Sequence, residues 1–110
     1  MVRPRKMRIV GYEPNVSYFK PRGIPLHQLE EVILTVDELE ALRLSNIENM
    51  DQTKAAEKMQ VHQSTFQRTL AKAREKVTDA LVNGKAIRIE GGQYRMQPGF
   101  RRRYRGRHRR

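Results

Sequence analysis

The feature that most constrains the fold is a long amphipathic segment in the second half of the chain. Apolar side chains recur there every three or four residues, at Phe66, Leu70, Ala73, Val77 and Leu81. That spacing predicts a helix over residues 63–83, and Gly84 suits the left-handed residue that ends it. At 1.5 Å per residue such a helix is roughly 30 Å long, about the diameter of a small domain.

Two shorter helices are predicted before this one. Thr35 and Glu38 have the spacing of a capping box, in which each side chain accepts a hydrogen bond from the other residue's backbone N–H. The first helix then covers residues 36–48, with an apolar face made of Val36, Leu39, Leu42 and Ile47. Asp51 is a good N-cap for the second helix, over residues 52–59.

Short strands are expected at both ends of this helical region. Residues 7–12 predict one strand, and prolines at positions 4, 14, 21 and 25 exclude a long helix nearby. Residues 86–96 predict a β-hairpin, because Gly91 and Gly92 can supply the positive φ angles of a two-residue turn. Its cross-strand pairs would be Ile89 with Tyr94, Arg88 with Arg95, and Ile87 with Met96.

The predicted fold class is therefore mainly α, a three-helix domain with a small β-hairpin element. That domain covers residues 35–97 and contains the three helices and the hairpin. Residues 1–34 form a basic, proline-rich segment, and residues 98–110 a disordered arginine-rich tail.

The charge of the chain is concentrated at its two ends. The sequence has 23 Lys and Arg against 12 Asp and Glu, a net charge of +11. Residues 101–110 alone contain seven arginines and no acid, whereas residues 28–52 contain seven acids and one cation, Arg43, which we expect to pair with Glu40. A polyanion is therefore the expected partner, approaching the later elements and the tail.

Residues 52–70 have the layout of a helix-turn-helix. Ala56 is small enough for a close helix crossing, Val61 provides an apolar plug for the turn, and Phe66 can be buried beneath the second helix. This leaves four polar side chains on what we call the outer face of the long helix: Gln63, Ser64, Gln67 and Arg68. Gln can pair with adenine and Arg with guanine, so we expect the outer face to contact bases in duplex DNA.

Further hydroxyl and cationic side chains are the expected phosphate contacts. They are Thr65, Lys72, Lys76, Arg88, Arg95, Arg101, Arg102 and Arg103.

The stretch LTVDELEALRLSNIENMDQTKAAEKMQVHQSTFQRTLAKAREKVTDALVNGKAIRIEGG resembles the bacterial and archaeal family called domain of unknown function 134. The resemblance covers about residues 3–94, including RPR at the start and FKPRGIPL at residues 19–26. It implies a DNA-binding protein whose helix-turn-helix is similar to the fourth region of sigma factors.

The chain departs from that family's usual pattern at three places. Lys6 and Met7 stand where members often have a Cys pair, so no metal or redox role is expected there. Gln60 stands where the turn usually has Gly, and a left-handed Gln costs about 1 kcal/mol. His62 and Gln63 replace the usual Ser-Arg at the start of the recognition helix, and His is the poorer N-cap.

Other classes of function find less support. The chain has no Cys, and His27, His62 and His108 lie in unrelated segments, so neither an enzyme nor a cofactor is expected. No apolar run is long enough to cross a bilayer and the start lacks a signal core, so a cytoplasmic protein is expected.

Two alternatives stay open at this point, and so does the oligomeric state. One is an RNA- or ribosome-associated protein, because Phe100 and Tyr104 interrupt the arginine-rich tail. The other is a protein-interaction module that docks a basic partner through the acidic residues 30–48. The long helix could also extend a homodimer interface.

Overall fold

The computed structural model describes residues 7–97 and contains three helices and five short strands. The strands are β1 (Arg8–Val10), β2 (Tyr18–Phe19), β3 (Glu31–Leu34), β4 (Ala86–Ile89) and β5 (Tyr94–Met96). The helices are α1 (Val36–Leu42), α2 (Gln52–Met59) and α3 (Gln63–Asn83). A 3₁₀ turn covers Leu26–Gln28, and a π-helical turn covers Arg43–Ile47. The predicted disordered tail and its phosphate contacts Arg101, Arg102 and Arg103 lie outside the described residues.

The ends of the helices follow the predicted signals. The Glu38 N–H donates to Thr35 Oγ1 at 3.3 Å and the Thr35 N–H donates to Glu38 Oε1 at 3.0 Å, which confirms the capping box of α1. The Lys54 N–H donates to the N-cap Asp51 at 2.8 Å. α3 begins after His62 without a side-chain cap and ends at Gly84, whose φ of 67° is left-handed. The mainly helical character and the three helices are therefore confirmed.

Two residues predicted on apolar faces are exposed instead. After α1 the chain makes a π-helical turn, in which the Glu48 N–H donates to the Arg43 carbonyl five residues earlier. That wider turn rotates the face, so Leu44 is buried and Ile47 is 72% exposed. In α3, Leu81 is 76% exposed and Ala80 is buried. Ala80 comes seven residues after the buried Ala73, so its side chain points within about 20° of the same direction. Leu81 comes eight residues after Ala73 and points about 80° away, towards solvent.

The core has two parts, and α3 contributes to both. Phe66 and Leu70 lie in the first part, which joins α3 to α1, α2 and the π-helical turn. Ala73 lies in the second part, where α3 packs on the strands; its other buried members are Val10, Leu34, Val36 and Ile89. The long helix therefore connects the helical half of the domain to its strands.

The predicted hairpin of residues 86–96 is wrong, because β4 and β5 do not pair with each other. β4 is the central strand of a three-stranded sheet of order β2-β4-β3, antiparallel to β2 and parallel to β3. Both edges of β4 are thus occupied, and β5 pairs in parallel with β1. Gly91 and Gly92 do have positive φ angles, of 77° and 107°, but they lead the chain from one sheet to the other. The strand predicted within residues 7–12 is confirmed as β1.

We predict that Phe66→Ala destabilises the domain by about 3–5 kcal/mol, the usual loss for a large buried aromatic side chain. Phe66 is 1% exposed at the centre of the helical core. Phe19→Ala is the matched control: because Phe19 is 53% exposed, we expect a change of no more than about 0.5 kcal/mol. Urea unfolding measures both, and equal losses would contradict this account of the core.

Candidate nucleic-acid interface

A three-residue connection sets the angle between α2 and α3. Gln60 has the left-handed conformation expected for it, with φ 58° and ψ 47°. The Val61 N–H donates to the Ala56 carbonyl at 3.0 Å, and the Val61 side chain packs against the helical core. Ala56 is buried where the two helices meet. The chain therefore places the small residue, the apolar plug and Phe66 as the spacing predicted.

The first two turns of α3 expose the predicted outer face. Gln63, Ser64, Gln67 and Arg68 are all exposed, Thr65 is half-buried beside them, and Phe66 points into the core. The structure thus brings the four predicted base-contacting residues together on one helical surface.

Gln52, at the start of α2, contacts the outer face, and sequence reasoning missed it. Its Oε1 accepts a hydrogen bond from Gln63 Nε2 at 3.4 Å and another from Gln67 Nε2. Thr53 Oγ1 donates to Gln63 Oε1 at 3.4 Å. The signal that could have found Gln52 is its position one helical turn before Ala56, on the side of α2 that crosses α3. The amides of the outer face are therefore oriented by α2.

The predicted phosphate contacts fall into two groups. Lys72 is exposed, as is the predicted base contact Arg68 one turn earlier, and within residues 7–97 neither makes a hydrogen bond or an ion pair. Lys76, by contrast, donates to Glu38 Oε1 at 2.8 Å and to the Ile33 carbonyl at 2.7 Å. Arg95 is exposed on β5. A phosphate that approached α3 would therefore meet free cations at Arg68 and Lys72, whereas the ammonium group of Lys76 is already bound to Glu38.

Arg88 lies on the three-stranded sheet rather than on α3. Its Nε and Nη2 donate to the two carboxylate oxygens of Glu31 at 3.0 and 2.9 Å, and its guanidinium stacks on the Tyr18 ring at 4.7 Å. Hydrogen bonds from Arg88 and then from Tyr18 lower the pKa of Glu31 below its ordinary value of 4.5. The Arg88 charge is thus neutralised within the chain.

Three acidic residues of the predicted docking segment face inward. Asp37, Glu38 and Glu40 are all buried in α1. Arg8 Nε lies 3.5 Å from Asp37 Oδ2, and Lys76 pairs with Glu38. Arg43 donates to both oxygens of Glu40 at 2.9 Å, which confirms that predicted pair and places its carboxylate in the interior. These carboxylates are therefore engaged inside the chain.

Within residues 7–97, no three His, Asp or Glu side chains come together as they would to hold a metal ion. None of the described helices is long and apolar enough to cross a membrane.

Comparison with known proteins gives one family. The family model described as "Protein of unknown function DUF134" matches residues 1–97. A UPF0251 protein of Caldanaerobacter subterraneus is 59% identical over 96 residues, which cover 87% of this chain and 81% of that protein. One from Thermoanaerobacter pseudethanolicus is 56% identical over 110 residues, covering 99% and 93% of the two chains.

Some relatives are longer than this chain. A UPF0251 protein of Methanosarcina mazei is 60% identical over 100 residues, which cover 91% of this chain and only 61% of that protein. No solved structure matches the chain.

We predict that Glu31→Gln lowers the melting temperature more at neutral pH than in acid. A carboxyl whose pKa is lowered by folding stabilises the folded chain above its unfolded pKa, and this contribution is lost as the pH falls through the folded value. Wild type and variant should therefore differ most at about pH 7 and less at about pH 3, because the contribution of this carboxylate declines as the pH falls below 4.5 towards the lowered pKa of the folded chain. Glu30→Gln is the control, since Glu30 is exposed and 3.8 Å from Lys85. An equal difference at both pH values would refute the role assigned to this carboxylate.

Proposed function

This chain belongs to the DUF134 family, and we propose that it binds duplex DNA with sequence selectivity, as a transcriptional regulator. We infer that α2 and α3 act as a helix-turn-helix and that α3 enters the major groove. A helix of ordinary diameter fits that groove, and the N-terminal turns of the second helix contact base edges in such motifs.

The proposal rests on which side chains the outer face presents and on how they are held. It combines two amides, a hydroxyl and a free guanidinium on adjacent turns of a helix anchored beneath by Phe66. A Gln amide can bond both N6 and N7 of adenine, and an Arg guanidinium both O6 and N7 of guanine. Because Gln52 holds the amides of Gln63 and Gln67, less side-chain entropy is lost when these amides bind bases.

The phosphate contacts are assigned from the free cations. Lys72 lies one turn beyond Arg68 and has no partner in the described part of the chain. Thr65, one turn before Arg68 on α3, adds a hydroxyl group. Lys76 and Arg88 would have to leave Glu38 and Glu31 before binding a phosphate, so they are the weaker candidates. Arg95 and the tail arginines would add affinity that is independent of sequence.

The inward-facing acids favour a nucleic acid over a basic protein partner. Docking through residues 30–48 needs free carboxylates, yet Asp37, Glu38 and Glu40 already face Arg8, Lys76 and Arg43. A duplex is also favoured over RNA, because the outer face belongs to a rigid helix and no stacking platform of exposed aromatic rings lies on it.

We predict that Gln67→Ala weakens binding to the preferred duplex by about 1–3 kcal/mol, the contribution of one bidentate base contact. Its affinity for random duplex should change much less, because phosphates carry no sequence information. Arg68→Ala should weaken binding to both duplexes and lose more on the preferred one.

Fluorescence anisotropy with labelled duplexes measures both affinities. Gln28→Ala is the matched control, since Gln28 is an exposed glutamine in the 3₁₀ turn, away from α3 in the chain. If Gln67→Ala cost as much on random as on preferred duplex, Gln67 would read no sequence. Tighter binding of structured RNA than of any duplex would favour the RNA alternative.

A further inference from the structure

We propose that a cavity beside α3 binds a small hydroxylated phosphate monoester, and that this ligand competes with DNA. The cavity, called here the α3 cavity, has a volume of about 410 Å³. Sites for small molecules are typically about 300–1,000 Å³, so this volume is sufficient for a molecule such as a sugar phosphate.

Two walls enclose the α3 cavity. One is the side of α3 that carries Thr65, Arg68, Thr69 and Lys72. The other contains Thr35 and Asp37 at the start of α1, with Gly92 and Gln93 from the connection between the two sheets. Four separate parts of the sequence thus meet around one polar space, since Arg8 of β1 also lines it.

The charge of the lining favours a dianion. Four cations and two carboxylates line the α3 cavity, namely Arg8, Arg68, Lys72, Lys76, Asp37 and Glu38, so the net charge is +2. Arg8 and Lys76 pair with the two acids. Arg68 and Lys72, one helical turn apart, are left without a partner among residues 7–97. A phosphate monoester carries about −1.5 to −2 charges at pH 7 and accepts charge-assisted bonds from both side chains.

Hydroxyl and amide groups in the lining favour a ligand that also has hydroxyl groups. Thr65 and Thr69 line the α3 cavity on the side of the two free cations, and Gln93 adds a side-chain amide from the other wall. The Thr65 hydroxyl can donate to and accept from a ligand hydroxyl group, and the Thr69 hydroxyl, which donates to the Thr65 carbonyl at 2.8 Å, can still accept.

The competition with DNA follows from the shared cations and rests on the proposed function. Arg68 and Lys72 line the α3 cavity and are also the base and phosphate contacts assigned above. A guanidinium that holds a ligand phosphate bidentately cannot bond a guanine at the same time. The ligand would therefore lower the affinity for DNA by mass action.

The site itself is tested without DNA, by titrating the ¹⁵N-labelled full chain with ribose 5-phosphate. We expect saturable amide shifts at Thr65, Thr69, Gly92 and Gln93, and none with ribose, which lacks the phosphate. Lys72→Gln should weaken binding about tenfold or more. Lys58→Gln is the matched control, an exposed lysine of α2 outside the α3 cavity, and should leave the affinity unchanged.

Three results would overturn the site. They are no saturable shifts, equal weakening by Lys72→Gln and Lys58→Gln, and equal affinity for dimethyl phosphate. The last compound resembles the phosphodiester of a DNA backbone, so equal affinity would assign the α3 cavity to the duplex itself.

The competition is tested by measuring duplex affinity with ribose 5-phosphate at ten times its own dissociation constant. We expect the affinity for the duplex to be about elevenfold lower than in a control sample that contains potassium chloride at the same ionic strength. An affinity equal to that in the salt control would overturn the competition. A chain that binds no duplex at all would refute the proposed function and the competition with it, while the first titration still decides whether the site exists.

Discussion

Burial of one side of α3 in two different cores is the constraint on which the rest of the structure depends. Phe66 and Leu70 close the helical core, and one turn later Ala73 closes the core over the strands. Each core is small, so neither half of the domain buries much apolar surface alone. The same geometry leaves the opposite side of α3 to solvent along its length, and there the first two turns present the outer face. Stability and the proposed recognition therefore use opposite sides of one helix.

Buried carboxylates join α1 to its neighbours. Glu38 Oε1 accepts from the Thr35 N–H at 3.0 Å and from Lys76 Nζ at 2.8 Å, so one side chain caps α1 and ties it to α3. Glu40 accepts from Arg43 and from the Gly11 N–H at 3.0 Å, which ties α1 to the residue after β1. Removing one partner of such a pair leaves a buried charge uncompensated, which is strongly unfavourable. These pairs explain why a strongly acidic segment of sequence adds so little free negative charge to the surface.

Local signals in the sequence predicted what is decided locally. The capping box at Thr35, the left-handed Gln60 and the stop at Gly84 depend on backbone groups a few residues away, and each is confirmed. The hairpin failed because strand pairing here is non-local: β4 finds partners about 55 and 70 residues earlier in the chain. The engagement of Lys76 and Arg88 has the same origin, since Glu38 and Glu31 are brought to them only by the packed fold. The placement of Gln63 and Gln67 on an exposed face was predictable from helical periodicity, whereas their bonds to Gln52 needed the angle between two helices.

The central claim is that the exposed side of α3 reads a base sequence, and selection from a random duplex library tests it most directly. The intact chain is used to recover bound duplexes over several rounds, and the same is done after removal of residues 98–110. The account predicts one recurring short sequence, the same with and without the tail, because the bases are read by α3 and the tail contacts phosphates only. Bound duplexes that share no sequence, or a preference that disappears with the tail, would contradict it.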